Sequence, residues 1–124
     1  LVELLSSENA VNAVIGTNTG PNFKYVLDGK PVTRPNGGLA GLSGALLAPI
    51  SRRMTKMLVA NLGPTIDVIR TGGIMNGDQV AEAIRNDGCA AVQVASFPHF
   101  ANNGPRAVAS LLESDALQEL LFTN

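Results

Sequence analysis

Three apolar runs in this chain each end in residues able to hold a polar ligand. Ala13-Val14-Ile15-Gly16 runs into Thr17-Asn18-Thr19, Ile66-Asp67-Val68-Ile69-Arg70 into Thr71-Gly72-Gly73, and Ala90-Ala91-Val92-Gln93-Val94 into Ala95-Ser96. The chemistry on offer is anion binding. Glycine lets a backbone approach a phosphate closely with its N–H groups pointing inward. A helix N-terminus just beyond adds partial positive charge. Ser96 offers a hydroxyl donor, and Asn18 donates and accepts at once, which suits a planar amide or imide. A fourth segment, Gly37 to Gly44, carries glycines that let a loop close over a cofactor. Each feature also has a plainer reading: a tight βα turn at Gly72-Gly73, ordinary turn residues at Thr17 to Thr19, a flexible surface loop at Gly37 to Gly44.

Other reactive residues point elsewhere. His99 is the sole histidine, so no His-based metal site can be built, and it reads as an exposed loop residue. Cys89, the sole cysteine, follows Gly88 at the start of a strand and reads as a small core residue. No carboxylate pair, serine triad or Walker-type loop is present, and no metal is expected.

The elements that must position these residues follow from periodicity. Near-continuous apolar runs suit parallel strands covered on both faces. Ile50, Met54, Met57 and Leu58 have helical spacing, with Arg52, Arg53 and Lys56 mostly on other faces. A short helix carries Val80, Ala83 and Ile84, with Asp78 as its N-cap and Gly88 as its C′ residue. A third helix starts near Pro105 with Val108, Leu111 and Leu112 inward. Ser114 caps a last one bearing Leu117, Leu120 and Leu121. The order predicts an α/β fold with right-handed crossovers. Residues 20–49 form a long turn-rich excursion with a hairpin around Asp28-Gly29. Loops of that length in compact domains are usually functional or disordered.

Composition sets the outer bounds. The 124 residues are 45% hydrophobic and 15% charged, with a net charge of −1. That is globular material with no electrostatic case for nucleic acid or an anionic membrane surface. No apolar run reaches a membrane span, no signal peptide is visible, and a single cysteine fits a reducing compartment, cytoplasmic or mitochondrial. A first residue of Leu rather than Met fits a longer protein.

Taken together, the run from Gly38 to Gly44, then Pro49, Thr71 to Gly77, Gly88 to Ser96 and Gly104-Pro105 resembles the C-terminal part of dihydroorotate dehydrogenase, and Thr17-Asn18-Thr19 matches that family's segment after the sixth barrel strand. The resemblance covers about residues 10 to 121. It implies the C-terminal portion of an FMN-binding TIM (β/α)8 barrel, about three parallel strands with flanking helices, as one unit over residues 1–124. The implied activity is oxidation of (S)-dihydroorotate to orotate in pyrimidine biosynthesis. Carried over, Thr71, Gly72, Gly73, Ala95 and Ser96 would hold the FMN phosphate. Ser43 and Gly44 would add to the FMN site, Thr17 would lie by the flavin, and Asn18 and Thr19 would bind the pyrimidine. The family's catalytic base and flavin-facing lysine would fall before Leu1. No catalytic residue is therefore expected in this chain, which would need the N-terminal barrel half as partner and would be inactive alone. A homo-oligomer also fits. Alternatives left open are a dihydropyrimidine-dehydrogenase-like or other FMN-dependent oxidoreductase, and a non-catalytic phosphate-binding half-barrel.

Overall fold

The structure, a computed structural model, describes residues 11–18, 20–23, 26–27, 30–31, 40–100 and 104–122. Its centre is a three-stranded parallel sheet built from β1 (Ala13–Ile15), β6 (Asp67–Thr71) and β7 (Ala91–Gln93), with β6 in the middle. All three predicted strands are present and parallel, and the α/β expectation holds. In register, Ile15 lies beside Ile69 and Ile69 beside Ala91, while Thr71 lies beside Gln93. Sheet alternation therefore puts Val14, Val68, Arg70 and Val92 on one face and Ile15, Ile69, Thr71 and Gln93 on the other. Helices cover only the first face. On the second, Ile15 is 57% exposed, and Asp67, Ala91 and Gln93 are also exposed. The expectation of strands buried on both faces is corrected here: nothing among the described residues packs on the second face.

A short 3-10 turn (Gly44–Leu47) leads into α1 (Ala48–Leu62), the crossover to β6. Leu58 and Leu62 of α1 pack with Ile66 and Val68, and with Val11, Val14 and Met54 at the margin. The inward face of α1 differs from the predicted stripe. Ser51, Thr55, Leu58 and Leu62 are buried, whereas Ile50 and Met57 are exposed. The reason is close approach: a Cβ at Gly16 would sit 3.1 Å from Leu58 Cδ1, and only small side chains fit nearer the helix start. Thr55 satisfies its buried hydroxyl on the Ser51 carbonyl at 3.0 Å.

The second crossover is α2 (Gly77–Arg85). Its N-cap is Asn76, whose Oδ1 accepts from Gln79 N at 2.9 Å. Asp78, expected as the cap, lies in the first turn and accepts from Ser114 Oγ at 2.6 Å. Val80, Ala81 and Ala83 pack with Ile74, Cys89 and Leu117 in a second core cluster. Three further helices follow β7: α3 (Ser96–Phe100), α4 (Pro105–Leu112) and α5 (Asp115–Phe122). On α4 the buried pair is Ala107 and Leu111, while Val108 and Leu112 are exposed; on α5 Leu117 is buried, Leu120 half-buried and Leu121 exposed. Ser114 accepts at its carbonyl from Leu117 and Gln118, at 3.0 and 2.9 Å, in its predicted place before α5. The excursion after β1 holds β2 (Gly20–Phe23), β3 (Val26–Leu27), β4 (Lys30–Pro31) and β5 (Ala40–Leu42). Strand β3 pairs with β4, and β2 with β5, both antiparallel; Asp28 and Gly29 of the predicted hairpin lie outside the described residues.

A buried carboxylate locks these layers. Asp87 is fully buried and meets Arg70 Nη1 of β6 at 2.8 Å and Arg52 Nε of α1 at 3.0 Å, with Lys56 Nζ at 3.3 Å. Arg52 also meets Glu82 of α2 at 2.7 Å. The hydrogen bond to Asp87, with both carboxylates nearby, raises the Arg52 pKa further above its already high ordinary value. One nitrogen of the buried Arg70, Nε, has no hydrogen-bond partner among the described residues. This cluster was not anticipated from the sequence; a lone Arg at the end of an apolar strand was its only signal.

Candidate functional site

The carboxyl ends of the three parallel strands, where ligands bind in such folds, line two adjoining cavities. The smaller, about 90 Å³, is walled by Ser43, Gly44 and Leu47 before α1, by Thr71 to Ile74 after β6, and by Gln93 to Ser96 at the end of β7, with Asn18 at its margin. The larger, about 520 Å³, is walled by Ile15 to Asn18, Thr71, Gln93 and Ala95. Asn18, Thr71, Gln93 and Ala95 belong to both.

Glycine geometry shapes the smaller cavity. Gly72 and Gly73 have φ of +97° and +78°, a backbone conformation that L side chains rarely adopt. A Cβ at Gly72 would come within 2.5 Å of Leu47 Cδ2, and one at Gly73 would strike the backbone of Ala48. The glycines thus let the turn after β6 press against the start of α1. The space a Cβ at Gly72 would need is filled by Leu47, while Gly72 itself walls the cavity.

Hydroxyl groups then fix the walls. The Gly44 N–H donates to Ser96 Oγ at 3.1 Å, joining the loop before α1 to the end of β7. With that lone pair used, the Ser96 hydroxyl keeps its own proton to donate into the cavity both residues line. The Thr71 carbonyl accepts from Ser51 Oγ at 2.6 Å and from Thr17 Oγ1. The Thr17 hydroxyl is therefore engaged within the protein, while the residue itself walls the larger cavity. Thr71 Oγ1 donates to Gln93 Oε1 at 2.9 Å. Ser51 and Gln93 were missed by sequence reasoning. Ser51 was hidden by its place on a helix whose inward stripe was read from apolar residues alone, and Gln93 by its place inside an apolar run, where an amide was itself the available signal.

Of the predicted site residues, Thr17, Asn18, Ser43, Gly44, Thr71, Gly72, Gly73, Ala95 and Ser96 all line one or both cavities. Thr19 and the Gly37 to Leu39 part of the glycine segment lie outside the described residues, and the His99 side chain is likewise not described. No charged side chain lines either cavity among the described residues. An anion in the smaller one would be met by backbone dipoles and hydroxyl protons. A 90 Å³ space exceeds what one water needs, about 10–15 Å³, and its walls are glycine backbone and hydroxyl. These residues fit a small anion such as a phosphate group. Cys89, by contrast, is buried away from both cavities; burial pushes its thiol pKa up, and its Sγ donates to the Ala83 carbonyl at 3.2 Å.

Comparison with known proteins gives this geometry a context. The family model of dihydroorotate dehydrogenase matches residues 1–119. The catalytic subunit of dihydroorotate dehydrogenase B (NAD(+)) from Methanopyrus kandleri is 38% identical over 86 residues, 68% of this chain and 26% of that protein. Dihydroorotate dehydrogenase (quinone) from Pseudomonas putida strain W619 is 35% identical over 117 residues, 94% of this chain and 32% of that protein. A probable dihydroorotate dehydrogenase A (fumarate) from Streptococcus pneumoniae is 32% identical over 82 residues, 66% of this chain and 26% of that protein. The chain spans about a third or less of the length of these curated relatives. A three-stranded parallel sheet with one helix-covered face is a partial TIM barrel, and with the match over nearly its whole length the chain belongs to the dihydroorotate dehydrogenase family.

Proposed function

We propose that this chain supplies the FMN phosphate site and part of the pyrimidine site of an enzyme that oxidises dihydroorotate to orotate, as the C-terminal part of a complete barrel. The observation that carries the reading is the pairing of a small, hydroxyl- and glycine-walled cavity with a larger one across shared residues at the strand ends. A mononucleotide has that division: a compact phosphate and a broad ring. Family membership supports the substrate class.

Within this reading, the Ser96 hydroxyl and the backbone of Gly72 and Gly73 bind the phosphate, and Gly44 holds Ser96 in place. Asn18 presents both a donor and an acceptor to a planar substrate beside the ring. Thr17 and Ser51 hold the Thr71 carbonyl, and through it the turn that carries the phosphate donors. Bound FMN would supply the redox chemistry by accepting the hydride equivalent from carbon 6 of dihydroorotate. The proton on carbon 5 needs a base from outside the described residues.

The test is direct. Purified protein containing this chain within its full barrel should show flavin absorbance and form orotate from dihydroorotate. Flavin-free protein that also fails to take up added FMN would refute the proposal. Flavin-loaded protein that leaves dihydroorotate unchanged but reduces another pyrimidine would move the substrate and keep the FMN site.

A further inference from the structure

The side-chain amide of Gln93 stands where the two cavities meet. It lines both, at the last position of β7, on the sheet face that no described helix covers. Its neighbours Val92 and Val94 turn to the opposite face and pack on the core cluster around Ile74 and Val80. An amide exposed at this junction does nothing for that core.

Its orientation is set from one side. Gln93 Oε1 accepts from Thr71 Oγ1 at 2.9 Å, and the Thr71 carbonyl is held in turn by Ser51 and Thr17. The oxygen end of the amide is thereby committed to the protein. The Nε2 end, with two N–H donors, is left for the cavities. Any ligand that keeps a phosphate in the smaller cavity and fills the larger must pass this group.

We infer that Gln93 positions the non-phosphate part of a flavin nucleotide by donating from Nε2 to an acceptor atom on its polyol chain or ring, with Thr71 fixing the amide. This rests on the FMN reading above and extends it to a residue outside the phosphate grip. One neutral hydrogen bond of this kind changes affinity by about threefold to tenfold.

The experiment measures binding of FMN, riboflavin and inorganic phosphate to the complete barrel that contains this chain, by flavin fluorescence and calorimetry, with no turnover needed. In Gln93→Leu, FMN and riboflavin affinity should fall by the same factor, about threefold to tenfold, and phosphate affinity should hold. Gln93→Asn, which keeps an amide but withdraws it by one methylene, should repeat that pattern and serves if the leucine variant is unstable. Thr71→Val should weaken both flavins, and the Thr71→Val/Gln93→Leu pair should be no weaker than Gln93→Leu alone. Ser96→Ala should instead lower FMN and phosphate affinity and spare riboflavin. Unchanged flavin affinity in both Gln93 variants, or an equal loss of phosphate binding, would overturn the role of Gln93 while leaving FMN binding intact. A parent barrel that binds phosphate but neither flavin would overturn the FMN reading, and the Gln93 role with it.

Discussion

A side chain at position 73 has nowhere to go. The residue is buried, its φ is +78°, and the Ala48 backbone occupies the space a Cβ would need. Gly73→Ala should therefore destabilise the protein by roughly 2–4 kcal/mol, combining backbone strain with overpacking, as read from denaturant midpoints. Flavin affinity should fall in the same variant because the turn carrying the donors must shift. Asn18→Ala makes the opposite prediction: orotate affinity drops about tenfold in the loaded barrel, from loss of a hydrogen-bonded group, while flavin content stays as it was. Cys89 gives the pH dependence. Its folded pKa is raised by burial, so its contribution is complete below the unfolded value of about 8.5 and is lost as pH rises through the folded value. Alkylation of Cys89 in native protein at pH 8 should be slower than in unfolded protein. At this scale the strand-end positions of Asn18, Gly73 and Ser96 were legible from residue type and order, and the structure puts all three on one cavity wall. Gln93 escaped because its partner, Thr71, lies 22 residues away and meets it only through strand register.

Helix α1, strand β6 and the turn after α2 are joined by charge as well as by apolar packing. Removing Asp87 strands the buried Arg70 guanidinium, so Asp87→Ala should cost about 3–5 kcal/mol. Pairing it with Arg70→Met should recover much of that loss, and a double-mutant cycle measures the coupling. Ser51→Ala and Thr17→Val each remove a donor from the same Thr71 carbonyl. Each should cost about 1 kcal/mol, and together they should cost more than the sum, because the second leaves a carbonyl without a hydroxyl donor. Strand positions and order were legible because parallel strands advertise themselves as apolar runs. The inner face of α1 was not. Hydropathy assigns Ile50 and Met57 to the core, but the close approach of Gly16 and Gly72 admits Thr55 and Ser51 instead. The N-cap of α2 was misassigned by two residues for a similar reason: Asn76 and Asp78 are both good caps by type, and only the direction in which the turn after Gly73 enters the helix selects between them.

On the scale of the whole molecule, the bare face of the sheet matters most. Ile15, Ile69 and Ala91 line up across three strands with no described element over them. In a closed barrel that face is interior. The 124-residue chain alone should consequently bind a hydrophobic dye such as anilinonaphthalene sulfonate, and supplying the barrel-completing sequence in trans or by fusion should suppress the signal. Equal dye binding with and without that sequence would refute the partial-barrel role. The fold class was readable from the sequence, but the openness of this face was not, since an apolar strand looks the same whether its second face meets helices or other strands of a barrel. The wall between the two cavities has its own consequence. Because Asn18, Thr71, Gln93 and Ala95 serve both, and Thr71 is anchored at carbonyl and hydroxyl alike, neither compartment can adjust to an occupant unnoticed by the other. Thermodynamic linkage makes that coupling mutual: by whatever factor a ligand in the smaller compartment changes the affinity for one in the larger, the second must change the retention of the first.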